Sequence, residues 1–155
     1  MKTRRRSGGR AVRLWLGAVT ILTIGASILP SVFSAQATDS LIASAQRAAR
    51  AWRAHDFAGL LDGSREVALH LPGADPSQPL RPSQATELLR AFVGAAREVE
   101  VEVEVAQNVD SLRAYVEIRR TFVTRLGAEP RAETLYVGMR RSGQGYAVAE
   151  IRVVR

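Results

Sequence analysis

The stretch EVEVEVEV at residues 98–105 decides the fold class, because glutamate and valine alternate there with a period of two. Successive side chains of a β-strand point to opposite faces of its sheet, so this stretch predicts a strand with one valine face and one glutamate face. Residues 112–122, 131–141 and 147–153 alternate in the same way. The C-terminal half therefore predicts four long antiparallel strands, each with one apolar face.

Helical periodicity precedes this region. Asp39 and Ser40 offer an N-cap, and apolar residues then recur at intervals of three and four up to about His55, which predicts an amphipathic helix. Asp56 is placed to cap a short second helix over residues 57–61. The two helices are expected to meet at a tight corner.

A strand, a loop and a third helix are predicted between that corner and the long strands. Residues 66–71 alternate as a strand. Four prolines follow within eleven residues and exclude both a helix and a central strand; they are Pro72, Pro76, Pro79 and Pro82. Ser83 is expected to cap the third helix, whose apolar stripe consists of Ala85, Leu88, Leu89, Phe92, Val93 and Ala96.

Charge and cysteine content exclude several classes of protein. The chain has 22 Lys and Arg residues against 15 Asp and Glu residues, but residues 1–37 alone hold six of the basic residues and no acidic one. Because the excess lies outside the predicted domain, a nucleic-acid partner is not expected. The absence of cysteine excludes disulfides, thiolate metal sites and a cysteine nucleophile.

The N-terminal segment has the pattern of an export signal. Residues 14–35 carry no charge, and they follow a basic start and end at the small residues of Ala35-Gln36-Ala37. We predict a signal peptide at 1–37 and a single domain at 38–155, located in the periplasm or outside the cell. The uncharged run is also long enough to span a bilayer, so an uncleaved anchor at 14–35 in the inner membrane is the alternative.

The domain resembles the nuclear transport factor 2-like superfamily, and in particular an exported bacterial branch without assigned function. The resemblance is carried by FAGLL at 57–61, VALHLP at 67–72, and SQA at 83–85 opening LLRAF at 88–92. It implies an α+β cone in which three N-terminal helices pack on a curved, mainly four-stranded antiparallel sheet. Members of the superfamily include enzymes, binding proteins and assembly adaptors, so the fold does not settle function.

Enzymes of this superfamily, such as ketosteroid isomerase and scytalone dehydratase, use Asp, His or Tyr side chains inside the cone. The four apolar stripes contain no such residue. Arg120 is the one charge in phase with Ile118 and Phe122, and we expect a bulge or a strand-end twist to turn it outward. The sequence therefore predicts no catalytic residue and no cofactor.

No metal site is predicted either. His55 and Asp56 are adjacent, and their side chains diverge too much to share an ion without further ligands. The glutamates at 98, 100, 102 and 104 stand nearly 7 Å apart along one strand face, which is too far for one calcium ion. They are expected to be solvated and paired with arginines of the next strand, with Glu98 opposite Arg119.

Two sets of residues are candidates for a functional site. The large side chains expected to line any cavity beneath the helices are Trp52, Phe57, His70 and Phe92. Those expected on the opposite, charged face of the sheet, as an association surface with an aromatic centre, are Tyr115, Tyr136, Tyr146 and Val148.

These features predict a non-enzymatic module that associates with proteins or binds a small apolar ligand. The expected protein partner is a second copy of the chain or an envelope protein. One alternative is an isomerase- or dehydratase-like enzyme with His70 as its base. The other is a component of an envelope complex anchored through residues 14–35, which is the only form expected to contact a membrane.

Overall fold

The computed structural model describes residues 32–125, 128–143 and 145–155 of the chain. The predicted signal peptide or anchor lies outside the described residues up to residue 31, and that prediction stays open. No helix in the described ranges is long and apolar enough to cross a membrane.

Three segments of the described chain are α-helical: α1 spans Val32–Arg53, α2 spans Phe57–Leu60 and α3 spans Pro82–Val93. The predicted N-cap at Asp39-Ser40 is wrong, because α1 already runs through both residues. No proline or glycine lies between residues 32 and 53, so nothing in the backbone stops the helix there.

The third helix also begins two residues earlier than predicted, with Arg81 rather than Ser83 at the N-cap position. Pro82 occupies the first turn of α3, where its fixed φ and missing N–H suit a helix start. The backbone N–H of Arg81 donates to Gln84 Oε1 at 3.1 Å, so the helix start does not use the predicted Ser83 cap.

The predicted corner between α1 and α2 is confirmed. His55 connects the two helices with a φ of 53°, in the left-handed region. Asp56 Oδ1 then accepts a hydrogen bond from the backbone N–H of Gly59 at 2.9 Å, which caps α2.

The described strands form one five-stranded sheet. They are β1 Ala68–His70, β2 Arg97–Asn108, β3 Arg113–Val123, β4 Arg131–Ser142 and β5 Gly145–Val154. The order is β1-β5-β4-β3-β2; the short edge strand β1 runs parallel to β5, and the other pairs are antiparallel. The α+β class is confirmed.

The described helices cover one face of the sheet, here called the inner face, and none of them covers the outer face. Helix α1 lies against β2, β3 and β5. Trp52, Leu89, Val116 and Ile151 are among the buried residues of the core between them. Leu88 and Leu112, assigned by periodicity to the apolar stripes, are instead 45% and 66% exposed.

Three register shifts change which face a side chain occupies. Strand β2 shifts between Glu98 and Glu100 and again between Val103 and Val105, and the β4–β5 pair shifts between Gly138 and Met139. Each extra residue moves the side chains that follow it in the strand to the opposite face of the sheet. The predicted pairing of Glu98 with Arg119 is therefore wrong: Glu98 lies opposite Phe122 and points inward.

The shift in the β4–β5 pair corrects two of the four predicted association residues. Val148 lies opposite the buried Met139, and both Tyr146 and Val148 are buried on the inner face. The Tyr146 hydroxyl donates to Asn108 Oδ1 at 2.7 Å. The uninterrupted alternation assumed from the sequence had placed these two residues outside.

Candidate functional site

The inner face contains a charge that the sequence analysis expected to be turned outward. Arg120 keeps the phase of Ile118 and Phe122, because the β3–β4 register has no irregularity, and its side chain is 2% exposed. It lies between two buried carboxylates: Arg120 Nη1 donates to Glu98 Oε1 at 2.9 Å, and Nη2 donates to Glu133 Oε2 at 2.8 Å. Glu98, Arg120 and Glu133 form what we call the interior charge cluster.

Aromatic rings enclose this cluster. The Arg120 Cζ atom lies 4.0 Å from the ring centroid of Phe122, 5.4 Å from that of Trp52 and 5.6 Å from that of Phe92. These are cation–π distances, so the rings replace part of the hydration that the guanidinium loses on burial. The Arg120 guanidinium is therefore packed among three aromatic rings.

The two carboxylates differ in how many of their oxygens accept a hydrogen bond. Glu98 Oε1 also accepts from Trp52 Nε1 at 3.3 Å and lies 3.4 Å from His55 Nε2. Glu98 Oε2, by contrast, is buried and has no hydrogen-bond partner within the described part of the chain. Glu133 Oε1 accepts from Arg155 Nε at 3.1 Å, which connects the cluster to a surface arginine.

The structure brings together three of the four predicted cavity residues and separates the fourth. Trp52 and Phe57 are 1% exposed and pack edge to face with centroids 5.4 Å apart, while Phe92 is half-buried beside Arg120. The first two fill the core rather than line an opening. His70 lies on β1 opposite Arg152, with Nε2 3.3 Å from Glu150 Oε1, far from the interior charge cluster in the sheet order.

His70 lines an open groove of about 320 Å³ at the sheet edge, together with Leu71 and Pro72. This groove has no wall residue from the interior charge cluster. Within the described ranges, no group of three or more His, Cys, Asp or Glu side chains is placed to hold a metal ion.

The outer face carries the other two predicted association residues. Tyr115 and Tyr136, on neighbouring strands, stack with centroids 5.9 Å apart and ring planes 17° apart. The Tyr115 hydroxyl donates to Glu117 Oε1 at 2.7 Å. Burial raises the pKa of Tyr115 well above its ordinary value, and the hydrogen bond to Glu117 raises it further. The phenol is therefore neutral throughout the physiological range.

The two rings border a groove of about 490 Å³ that continues to Gly138, Glu150, Arg152 and Val154. Gly138 has no side chain to fill the groove, and a Cβ at that position would lie 3.3 Å from the Glu150 Cβ. We call this surface the tyrosine face. It combines an apolar centre with one acidic and one basic residue at its border.

The two carboxylates of the interior charge cluster were not expected inside from the sequence. Glu133 is in phase with Leu135, Val137 and Met139, so the alternation of β4 contains the signal that places it inside. Glu98 gives no such signal, because its position depends on the irregularity in the β2–β3 pairing.

Neither a protein-family model nor a curated protein matches the sequence. Solved structures do match the fold. A ketosteroid isomerase-like protein from Erwinia carotovora atroseptica has a TM-score of 0.62 at 15% identity, covering 75% of this chain and 93% of that chain. A putative calcium/calmodulin-dependent protein kinase type II association domain from Thiobacillus denitrificans has a TM-score of 0.58 at 17% identity, covering 72% and 91%.

An NTF-2 like protein of unknown function from Shewanella oneidensis has a TM-score of 0.55 at 11% identity, covering 75% of this chain and 97% of that chain. Identities this low establish the architecture and leave the activity open. The chain therefore has the fold of the nuclear transport factor 2-like superfamily.

Proposed function

We propose that the chain is an exported, non-catalytic association module that forms a dimer with a second copy of itself through the tyrosine face. The observation that carries this proposal is the stacked pair of Tyr115 and Tyr136 beside an apolar groove on the uncovered side of the sheet. Tyrosines with an apolar centre and a charged border are typical of protein interfaces.

The charges at the border favour a second copy as the partner. Glu150 and Arg152 lie two residues apart on the outer face of β5, with Arg152 Nη2 3.4 Å from Glu150 Oε1. A two-fold axis brings the same patch of both subunits together. Glu150 of each copy can then pair with Arg152 of the other, so the patch is complementary to itself.

The state of the interior supports the absence of catalysis. The side chains of Glu98, Arg120 and Glu133 are 2%, 2% and 3% exposed, and aromatic rings surround them. The three charged side chains are therefore packed inside the core. The fold is also similar to that of a protein described as an association domain, and the N-terminal signal pattern supports action outside the cytoplasm.

Sedimentation velocity of the purified full chain tests the proposed dimer. We expect a wild-type dimer, and we expect Tyr136→Arg to give a monomer because two buried guanidinium groups would meet across the axis. Leu88→Arg is the matched control: it adds the same charge at an exposed leucine on α3, away from the sheet, and should leave the dimer intact.

A wild-type monomer, or a dimer that persists in Tyr136→Arg, contradicts the proposal. Native mass spectrometry of the same samples reports the other partners considered for this face. A monomer with a bound small molecule would identify a ligand-binding module, and a complex with an envelope protein would identify a heteromeric one.

An isomerase-like activity is a second candidate, favoured by one observation: Glu98 Oε2 is a buried carboxylate oxygen without a hydrogen-bond partner among the described residues, inside a fold shared with a ketosteroid isomerase-like protein. Glu98, rather than His70, would then act as the base. The test is the conversion of a β,γ-unsaturated ketone to its conjugated isomer, followed by ultraviolet absorbance. Turnover that is lost in Glu98→Gln supports the activity, and no turnover in the wild type excludes it for this substrate class.

A further inference from the structure

A wide groove separates the connection between α2 and β1 from the β4–β5 hairpin. Its volume is about 780 Å³. Its polar wall residues are Ser64, Arg65 and Glu66 on one side and Arg140, Arg141 and Ser142 on the other. We call it the arginine groove; it shares no wall residue with the groove of the tyrosine face.

The charges of the arginine groove are not balanced. Three of its wall residues are arginines and one, Glu66, is acidic. None of the three arginines forms a side-chain ion pair or hydrogen bond with any residue that the structure describes. Elsewhere on the sheet, Arg119 and Arg152 each have a glutamate within 4 Å.

The position of Arg140 increases the imbalance. It lies directly opposite Arg113 in the β3–β4 pair, an arrangement of like charges that destabilises a sheet. Arg113 is neutralised by Asp110, whose Oδ2 accepts from Arg113 Nε at 2.7 Å. Arg140 has no comparable carboxylate among the described residues, so its charge is available to an external anion.

A hydroxyl group at the wall points to the same kind of ligand. Ser64 Oγ is buried and has no hydrogen-bond partner in the described part of the chain. Such a group is costly to leave unsatisfied, and a rotation of the Ser64 side chain would let it donate to an oxyanion in the groove. The planar guanidinium fork matches the oxygens of phosphate or carboxylate, and several forks in one groove favour an anion with more than one charge.

We propose that the arginine groove binds a phosphate group. The group can belong to a soluble phosphorylated compound or to the headgroup of an anionic phospholipid, and the recognition chemistry is the same for both. This site is separate from the groove used by the proposed dimer, since the two grooves share no wall residue.

The test is titration of the purified full chain with inorganic phosphate at constant ionic strength, measured by calorimetry. The double variant Arg140→Gln/Arg141→Gln should weaken phosphate binding by about tenfold or more, as expected for the loss of charged hydrogen bonds. The double variant Arg50→Gln/Arg53→Gln is the matched control. It removes the same two charges from exposed positions on α1 and should bind phosphate like the wild type.

Flotation with vesicles distinguishes the two sources of phosphate. Binding to vesicles containing phosphatidylglycerol that free phosphate competes away, and that only the groove variant loses, identifies a lipid headgroup. Phosphate binding in solution without such a vesicle difference identifies a soluble compound. The proposal fails if the wild type does not bind phosphate, or if both double variants weaken binding equally, because the effect is then general electrostatics.

Discussion

Arg120 occupies an energetically costly position, because its guanidinium is buried in the core. Removing a guanidinium and two carboxylates from water costs several kcal/mol per ion, and the attraction between them offsets this only when the geometry is good. Here Arg120 reaches Glu133 through both Nε and Nη2, at 3.1 and 2.8 Å, and Glu98 through Nη1. The interior charge cluster therefore depends on all three members being present.

Replacement of Arg120 by methionine should lower the free energy of unfolding by about 3–5 kcal/mol, because Glu98 and Glu133 lose the cation buried between them and Glu133 keeps only the exposed Arg155. Urea denaturation measures the change. The matched control is Arg119→Met, the next residue on β3, whose side chain is 60% exposed and lies 3.6 Å from Glu104. A surface pair of this kind contributes at most about 1 kcal/mol.

If Arg120→Met does not fold, Arg120→Lys provides the measurement, since it keeps the charge and loses the double contact with Glu133. Arg120→Lys should be folded, and its free energy of unfolding should be lower than those of the wild type and of Arg119→Met. A loss for Arg120→Met no larger than for Arg119→Met would show that the cluster does not stabilise the fold.

The turn of the β2–β3 hairpin is held by hydrogen bonds to one side chain, that of Asp110. Asp110 Oδ1 accepts from the backbone N–H groups of Leu112 and Arg113 at 2.9 and 2.8 Å. The pKa of Asp110 is lowered below its ordinary value of 3.8. The largest cause is the hydrogen bond from the Leu112 backbone, and the Arg113 side chain and backbone add to it. Such local hydrogen bonds fix where a turn forms.

This lowered pKa predicts a pH dependence for the hairpin. A carboxyl group with a lower pKa in the folded than in the unfolded chain adds stability above the unfolded value, and that stability is lost as the pH falls through the folded pKa. The wild type should melt at a higher temperature than Asp110→Asn at neutral pH, and the gap should close below about pH 4.

Thermal denaturation by circular dichroism across this pH range measures the gap. Asp75→Asn is the control, because Asp75 is exposed in the proline loop and its side chain has no partner among the described residues; it should melt like the wild type at neutral pH. A gap for Asp110→Asn that is constant down to acid pH would contradict the assignment.

At the scale of the whole molecule, the predicted signal peptide at 1–37 overlaps the start of helix α1 in sequence. Helix α1 begins at Val32, so it includes the predicted cleavage position after Ala37. Among residues 38–53, the first buried side chain is that of Leu41. Removal of residues 1–37 therefore leaves the described core contacts of α1 in place.

We predict that the protein recovered from an exporting host begins at Thr38. Intact-mass spectrometry of the recovered protein measures this directly, and thermal denaturation should show a folded domain. A full-length mass in the membrane fraction would contradict cleavage and support the anchor at 14–35. A Thr38 start that does not fold would show that the first turns of α1 are required.

The sequence alone determined the α+β class, the four long strands, the corner at Asp56 and the outward position of Tyr115 and Tyr136. These features depend on local periodicity, because a side chain within a regular strand or helix has its face set by its immediate neighbours. The phase of Arg120 was also visible in the sequence, although the assumption that a charge must leave the core led to the wrong position.

Only the tertiary structure decided that Glu98 points inward and that Tyr146 and Val148 leave the outer face. Each of these outcomes depends on a register shift between two paired strands. A shift of this kind is set by the partner strand and by what the helices cover, and one strand's alternation contains no information about either. The interior charge cluster and the arginine groove arise in the same way, from residues distant in sequence that pairing brings together.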